Sequence, residues 1–288
     1  MLSPKLLPTI FMKTLLQIAF STLILTTFSC NNSGQRREKP VRSLVIASPT
    51  TEDENTRKIA STSEKALTPS ELYIISSLTI NQKTENFKTG KEFKGFLKIE
   101  LIDKQLFDSM RSSSINFLIA DTAEVKKKEG IIELKCQAKV KKYIDKQDSE
   151  ESMQAFKYVG QFHFLNKYLI GSSYYEGLDY KFIDKISGEE TQTFGEYPTI
   201  SADKKHIICI YANAYETTAD LELYTIGDKQ INHTMSARFK NWMPKVEPSE
   251  MFWSTDGYLY LAVNHVNSFW KADGSLNDRC QYIRIKVL

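Results

Sequence analysis

The sequence is poor in the residues that most often carry catalysis. It holds four histidines and four cysteines. His163, His206, His233 and His265 form no H-E-x-x-H pair and show no zinc spacing. The cysteines form no C-x-x-C. Apart from Cys30 only Cys136, Cys209 and Cys280 remain, which argues against a disulfide framework. An oxidising compartment would permit one bridge, and the sequence names no pair. G-x-S-x-G, P-loop and G-x-G-x-x-G motifs are missing, so nothing points to a serine hydrolase of that type or to a nucleotide cofactor. No metal and no cofactor is expected. An excess of one charge is also lacking. The 38 basic residues against 35 acidic ones leave +3, too little to announce a nucleic-acid partner.

What is present is a globular composition, with 41% hydrophobic and 25% charged residues, which excludes disorder along the whole chain. The N-terminus carries an address. Lys5 and Lys13 are the only charges before Cys30, and Thr14–Phe28 is an uncharged, largely apolar run. That run is shorter than the roughly 20 residues a spanning helix needs. A basic start, a short apolar core and small residues at its end describe a secretory signal. Met12, just before Lys13, offers a second start.

Ser29-Cys30 resembles the end of a bacterial lipoprotein signal, in which the cysteine after the cut is acylated. Thr27 departs from that pattern, where an aliphatic residue is usual. Thr27 and Ser29 also suit an ordinary signal peptidase. The resemblance implies residues 1–29 as signal peptide and Cys30 as the lipidation site. Acyl chains add about 0.8 kcal/mol per buried methylene, so several on one cysteine hold firmly to a membrane. Residues 30–69 read as the lipidated cysteine and a flexible linker, rich in Ser, Thr, Asn, Glu, Lys and Arg. Its reach is about 35 Å by random-coil scaling. Leu44–Ala47 is one apolar interruption within it. The stretch NNSGQRRE lacks an acidic cluster after the cysteine, which leans toward a periplasm-facing position.

Residues 70–288 read as a β-rich globular domain. Apolar and polar residues alternate through Ile132–Val140, Leu97–Leu101, Leu221–Tyr224 and Tyr282–Val287, which predicts strands with one buried face. A helix is predicted near Asp103–Ser112, where Leu106, Phe107 and Met110 share a face. Cys209 lies in the apolar run His206–Ala212 and reads, like Cys136, as a buried small hydrophobe. Gly188, Gly227-Asp228, Asp256-Gly257 and Asp273-Gly274 mark turns. A Ser-x-Asp turn entering an apolar strand occurs at Ser201–Ile210 and again at Ser254–Val263.

That turn resembles the repeat of TolB-like and WD40-like β-propellers, over about residues 156–288. The closest stretch runs from Tyr197 to Ala212. Lys204 stands where glycine is usual, and no closing Trp-Asp dipeptide appears. The resemblance implies a propeller-like stack of short antiparallel sheets. A β-sandwich or mixed β domain is the alternative.

Candidate chemistry is sparse. Asp273, Ser275 and Asn277 have the alternate spacing of a calcium loop, but Asp278 and Arg284 occupy its glycine and glutamate positions, so a polar turn is expected. Glu176 with Asp179, and Glu216 with Asp220, are the carboxylates that could pair across loops. More suggestive are aromatic stretches that break the alternation. Tyr175, Tyr215, Glu216, Trp242 and His265 are the candidate binding residues, since rings beside polar groups supply area and directional bonds together. The expected protein is a lipid-anchored, non-catalytic binding or scaffold protein of the cell envelope. Its partner would be an envelope protein, peptide or glycan. An envelope hydrolase acting on glycans or peptides, or an inhibitor or immunity factor, is the competing reading.

Overall fold

The computed structural model describes residues 65–86, 92–146, 149, 152–175, 177–228, 230–245 and 250–288. The signal segment, Cys30, Leu44–Ala47 and Glu176 lie outside the described residues. The first strands are β1 (Ile75–Ile80), β2 (Lys83–Glu85) and β3 (Leu97–Ile102). Helix α1 (Lys104–Arg111) follows, then β4 (Ser114–Ile115), β5 (Ile131–Lys135) and β6 (Val140–Ile144). Next come β7 (Gln154–Phe162), β8 (Lys167–Tyr174), β9 (Gly177–Asp184) and β10 (Glu190–Phe194). They are followed by β11 (Thr199–Ile200), β12 (His206–Asn213), β13 (Thr218–Ile226) and β14 (Ile231–Phe239). The last are β15 (Trp242–Pro244), β16 (Met251–Ser254), β17 (Leu259–His265) and β18 (Gln281–Val287).

The chain is mostly β, and its antiparallel sheets are open. The hairpin β5–β6 is the first sheet and β10-β9-β8-β7 the second. The third has the order β11-β12-β13-β14-β1-β2. The fourth has the order β3-β18-β17-β16-β4, with β15 also pairing β17. Neighbouring residues along a strand point to opposite faces, and here each face meets a different core. Ile170 and Ile183 of the second sheet pack with Ile132, Leu134 and Tyr143 of the hairpin. Leu169 and Phe182, one position away, pack with Ile207, Cys209 and Tyr224 of the third sheet. Ile208 and Ile210 turn the other way, toward Leu259, Leu261, Ile283 and Ile285 of the fourth. The apolar run at Ile207–Ile210 is therefore a strand buried on both sides, in the middle of a layered stack.

Helix α1 covers the outer side of the fourth sheet. Asp103 caps it, its Oδ1 accepting the Leu106 N–H at 2.7 Å. Phe107 is buried, with its ring centroid 4.4 Å from Tyr282 and 5.2 Å from Phe252. The helix expected at Asp103–Ser112 is thus present. The single strand expected at Ile132–Val140 is not, because Cys136–Lys139 form a turn instead. Cys136 N–H donates to Lys139 O, while Gln137 and Ala138 N–H donate to Lys185 and Ile186 O of the β9–β10 turn. The alternation runs through that turn without marking it.

Both Ser-x-Asp sequences form the same device. Lys204 N–H donates to Ser201 O at 2.9 Å, and Gly257 N–H to Ser254 O at 3.0 Å. Lys204 and Gly257 have φ of 61° and 80°. Asp203 and Asp256 accept backbone N–H groups two residues on. Lys204 adopts a left-handed conformation that glycine takes more readily. Its ammonium lies 4.9 Å from the Phe117 ring and 5.1 Å from Phe164.

The chain's two described ends are laced together. β3 pairs along its whole length with β18. Leu67 is buried, its N–H donating to Gln281 Oε1 at 2.5 Å and its C=O accepting from Gln281 Nε2 at 3.2 Å. The folded part thus includes Lys65–Thr68.

Candidate functional site

Two of the sheets carry candidate residues in the turn between two long strands. Tyr175 sits half-buried in the β8–β9 turn. Tyr215 and Glu216 lie in the β12–β13 turn, Tyr215 at 63% exposure and Glu216 also exposed. Asn213 shapes that turn. Its Oδ1 accepts the N–H groups of Tyr215 and Glu216 at 3.2 and 3.1 Å, the local bond for which asparagine is suited.

Directly behind the turn stands Asp220, which is buried. Thr218 Oγ1 donates to its Oδ1 at 2.6 Å. Asn213 Nδ2 and Tyr211 OH donate to Oδ2 at 3.0 and 3.2 Å, and Arg238 Nε lies 3.2 Å from the same oxygen. With four donors on two oxygens, this carboxylate is committed to holding its neighbours. It fixes Arg238, itself half-exposed, beside the turn. Burial, then Asp220, pushes the Tyr211 phenol up to about 12, so it remains a donor at neutral pH.

The facing side chains between the second and third sheets add further polar groups. The Tyr180 and Tyr197 rings meet edge to face at 5.5 Å. Burial raises both phenols, Tyr197 to about 12. Burial also raises the Glu196 carboxyl, which accepts the Tyr197 N–H at 2.8 Å. Tyr224 OH donates to Glu222 at 2.8 Å.

Trp242 and His265 lie elsewhere. They are register partners in the β15–β17 pair, and both are inside the protein. Trp242 is 0% exposed, with its Nε1 donating to Leu72 O at 3.3 Å. His265 is 2% exposed. Its Nδ1 accepts the Asn267 N–H at 3.0 Å, which places the neutral ring's proton on Nε2. That Nε2 has no hydrogen-bond partner among the described residues and stands 3.8 Å from Glu71 Oε1. Neither residue belongs to an exposed recognition surface, because the segment around Lys65–Tyr73 covers them.

Asp220 reads in the sequence as a carboxylate that could pair with Glu216, and Arg238 stands unconnected to it; only the β13–β14 register brings the two together. Asp273 uses its Oδ1 on the N–H and hydroxyl of Ser275, as a polar turn does. Among the described residues no group of His, Cys, Asp and Glu is gathered to hold a metal ion, and no helix is long and apolar enough to cross a membrane. No protein-family model, curated protein or solved structure matches the chain.

Proposed function

We propose that this chain is a lipid-anchored, non-catalytic binding or scaffold protein of a bacterial cell envelope, held by Cys30 and facing the periplasm. The observation that carries the binding reading is the exposed Tyr215–Glu216 turn seated on Asp220. Its carboxylate is already held by Thr218, Tyr211, Asn213 and Arg238, which suits a rigid platform and leaves little room for a general base. An envelope protein, peptide or glycan is the class of partner. The anchor rests on the basic start, the uncharged Thr14–Phe28 run and Ser29-Cys30. In the same reading the stacked meanders are propeller-like, with the Ser201 and Ser254 turns as equivalent corners of neighbouring units.

Intact mass and membrane fractionation of wild type beside Cys30→Ser test the anchor. Wild type is expected in the membrane fraction with added acyl mass, and Cys30→Ser in the soluble fraction. A soluble, unacylated wild type would overturn the anchored reading and leave a diffusible protein.

A further inference from the structure

Glu196 and Tyr197 lie in the link from β10 to β11, where the chain leaves the second sheet for the third. Glu196 Oε1 accepts the Tyr197 N–H at 2.8 Å, while Oε2 has no hydrogen-bond partner among the described residues. The hydroxyls of Tyr180 and Tyr197 have none either. Glu196, Tyr180 and Tyr197 are half-buried, and none of these three oxygens is among the atoms sealed from solvent. Each can therefore be reached from outside the chain.

Charge defines what would bind there. Half-buried carboxylates elsewhere face a base: Asp184 lies 2.7 Å from Lys167, and Glu100 lies 2.9 Å from Arg284. Glu196 has no ion-pair partner among the described residues. Burial raises its carboxyl, and no cation works the other way. Its charge bears on the Tyr180 phenol of β9 and on the Cys209 thiol of β12, so it lies between the two sheets. The charge of Glu222, which accepts the Tyr224 hydroxyl, bears on the same thiol and adds to the negative field. Lys157 shares the face of Tyr180, on β7 beyond Gly171, but no carboxylate acts on it. A half-buried carboxylate without a counter-charge is costly, and a cation from outside offsets that cost.

The rings narrow the kind of cation. Tyr180 lies against Gly171, where an added Cβ would stand 3.4 Å from the ring's Cε1, so glycine leaves the ring its place. The Tyr197 ring meets it at 88°, with centroids 5.5 Å apart. Perpendicular rings turn two π-faces toward one corner, and a cation over such faces is drawn to their quadrupoles. Burial raises both phenols, so at neutral pH they stay uncharged. A bare metal ion asks for several charged or polar ligands at once, and among the described residues no such group of His, Cys, Asp and Glu is gathered. One carboxylate beside two aromatic rings suits an ammonium that carries carbon around its charge.

We propose that the corner formed by Glu196, Tyr180 and Tyr197, between the second and third sheets, binds an alkylammonium group. The site uses no residue of the Asp220 platform and depends on neither the Tyr215 turn nor Cys30. Saturation-transfer NMR on the full chain tests it, with choline and Nα-acetyl-lysine amide as probes at millimolar concentration. Dimethylbutanol, the neutral carbon isostere of choline, is the control. Wild type is expected to bind at least one ammonium probe, and dimethylbutanol about tenfold more weakly. Glu196→Gln keeps an acceptor for the Tyr197 N–H and removes the charge, and should weaken ammonium binding about tenfold. Tyr197→Leu should weaken it to a similar extent by removing one ring. Near-ultraviolet circular dichroism checks that each variant is folded, and if Tyr197→Leu is not, Glu196→Gln decides. Tyr215→Ala should bind as wild type does. Binding of choline alone assigns a quaternary headgroup and binding of the lysine amide alone assigns a lysine side chain, and either sustains the site. Absence of binding to both ammonium probes would overturn the proposal. So would equal binding of dimethylbutanol, unchanged binding by folded Glu196→Gln, or loss of binding in Tyr215→Ala.

Discussion

His265 shows how burial sets the behaviour of a single side chain. Desolvation lowers its pKa from 6.5, and Lys65 works in the same direction, while Glu71 opposes them. The unfolded chain therefore takes up the histidine proton before the folded one does. Stability from this site is full above 6.5 and declines as pH falls toward the depressed folded value. Glu71 has a second, lower window. Its hydrogen bond from Lys65 outweighs desolvation and, with Thr68, holds it at about 2 against an ordinary 4.5. Its contribution is present above 4.5 and lost as pH falls toward 2. Urea midpoints of wild type should drop between pH 7 and pH 5, and the Gln variant of His265 should flatten that slope. An equal slope in both proteins would remove His265 from the account. Cys209, read from sequence as a buried small hydrophobe, is buried, while Cys136, read the same way, is half-buried at a turn. Trp242 and His265 read as loop aromatics because Asn and Pro punctuate their stretches. What buries them comes from about residues 65–73, which no local pattern near residue 242 or 265 can reveal.

At the scale of elements, period two was legible where one strand face met a core, as in β3 and β18. It failed at Cys136–Lys139, where alternating residues happen to run through a turn whose amides bond to a different part of the chain. Helix α1 was legible because its apolar spacing and its Asp103 cap are both local. Asp103→Ala should cost about 1 kcal/mol, seen as a lower urea midpoint with an unchanged m-value. A loss within error would mean that Phe107 packing alone sets the helix. The Ser201 and Ser254 corners were legible as turns. That Lys204 adopts φ of 61° was not, since lysine carries no such preference. The candidate sites were harder still. Asp220 was legible as a carboxylate, but its grouping with Arg238 exists only through the β13–β14 register.

For the whole molecule, the distribution of apolar residues says more than their number. Strands β8, β9, β12 and β13, in the middle of sheets two and three, carry buried residues on both faces, and the outer sheets are finished by different means. Helix α1 covers the fourth, while the two-stranded hairpin itself forms the opposite layer. The fourth sheet is assembled from both ends of the described chain, and this governs cooperativity. Deleting Gln281–Leu288 removes the pairing partner of β3, the Gln281 clamp on Leu67, and Ile283 and Ile285 from the shared core. The truncated chain should lose its near-ultraviolet circular dichroism and its sigmoidal melt. A retained cooperative transition near that of wild type would show that the other sheets fold independently. The β3–β18 pairing also sets an order in time. A ribosome adding about 5–20 residues per second makes β18 roughly 10–40 s after β3. Throughout that interval Leu97 and Ile99 stand on a strand whose pairing strand has not been made, so the newborn chain is most exposed to a holdase, or to a second nascent copy, before its last residues are made.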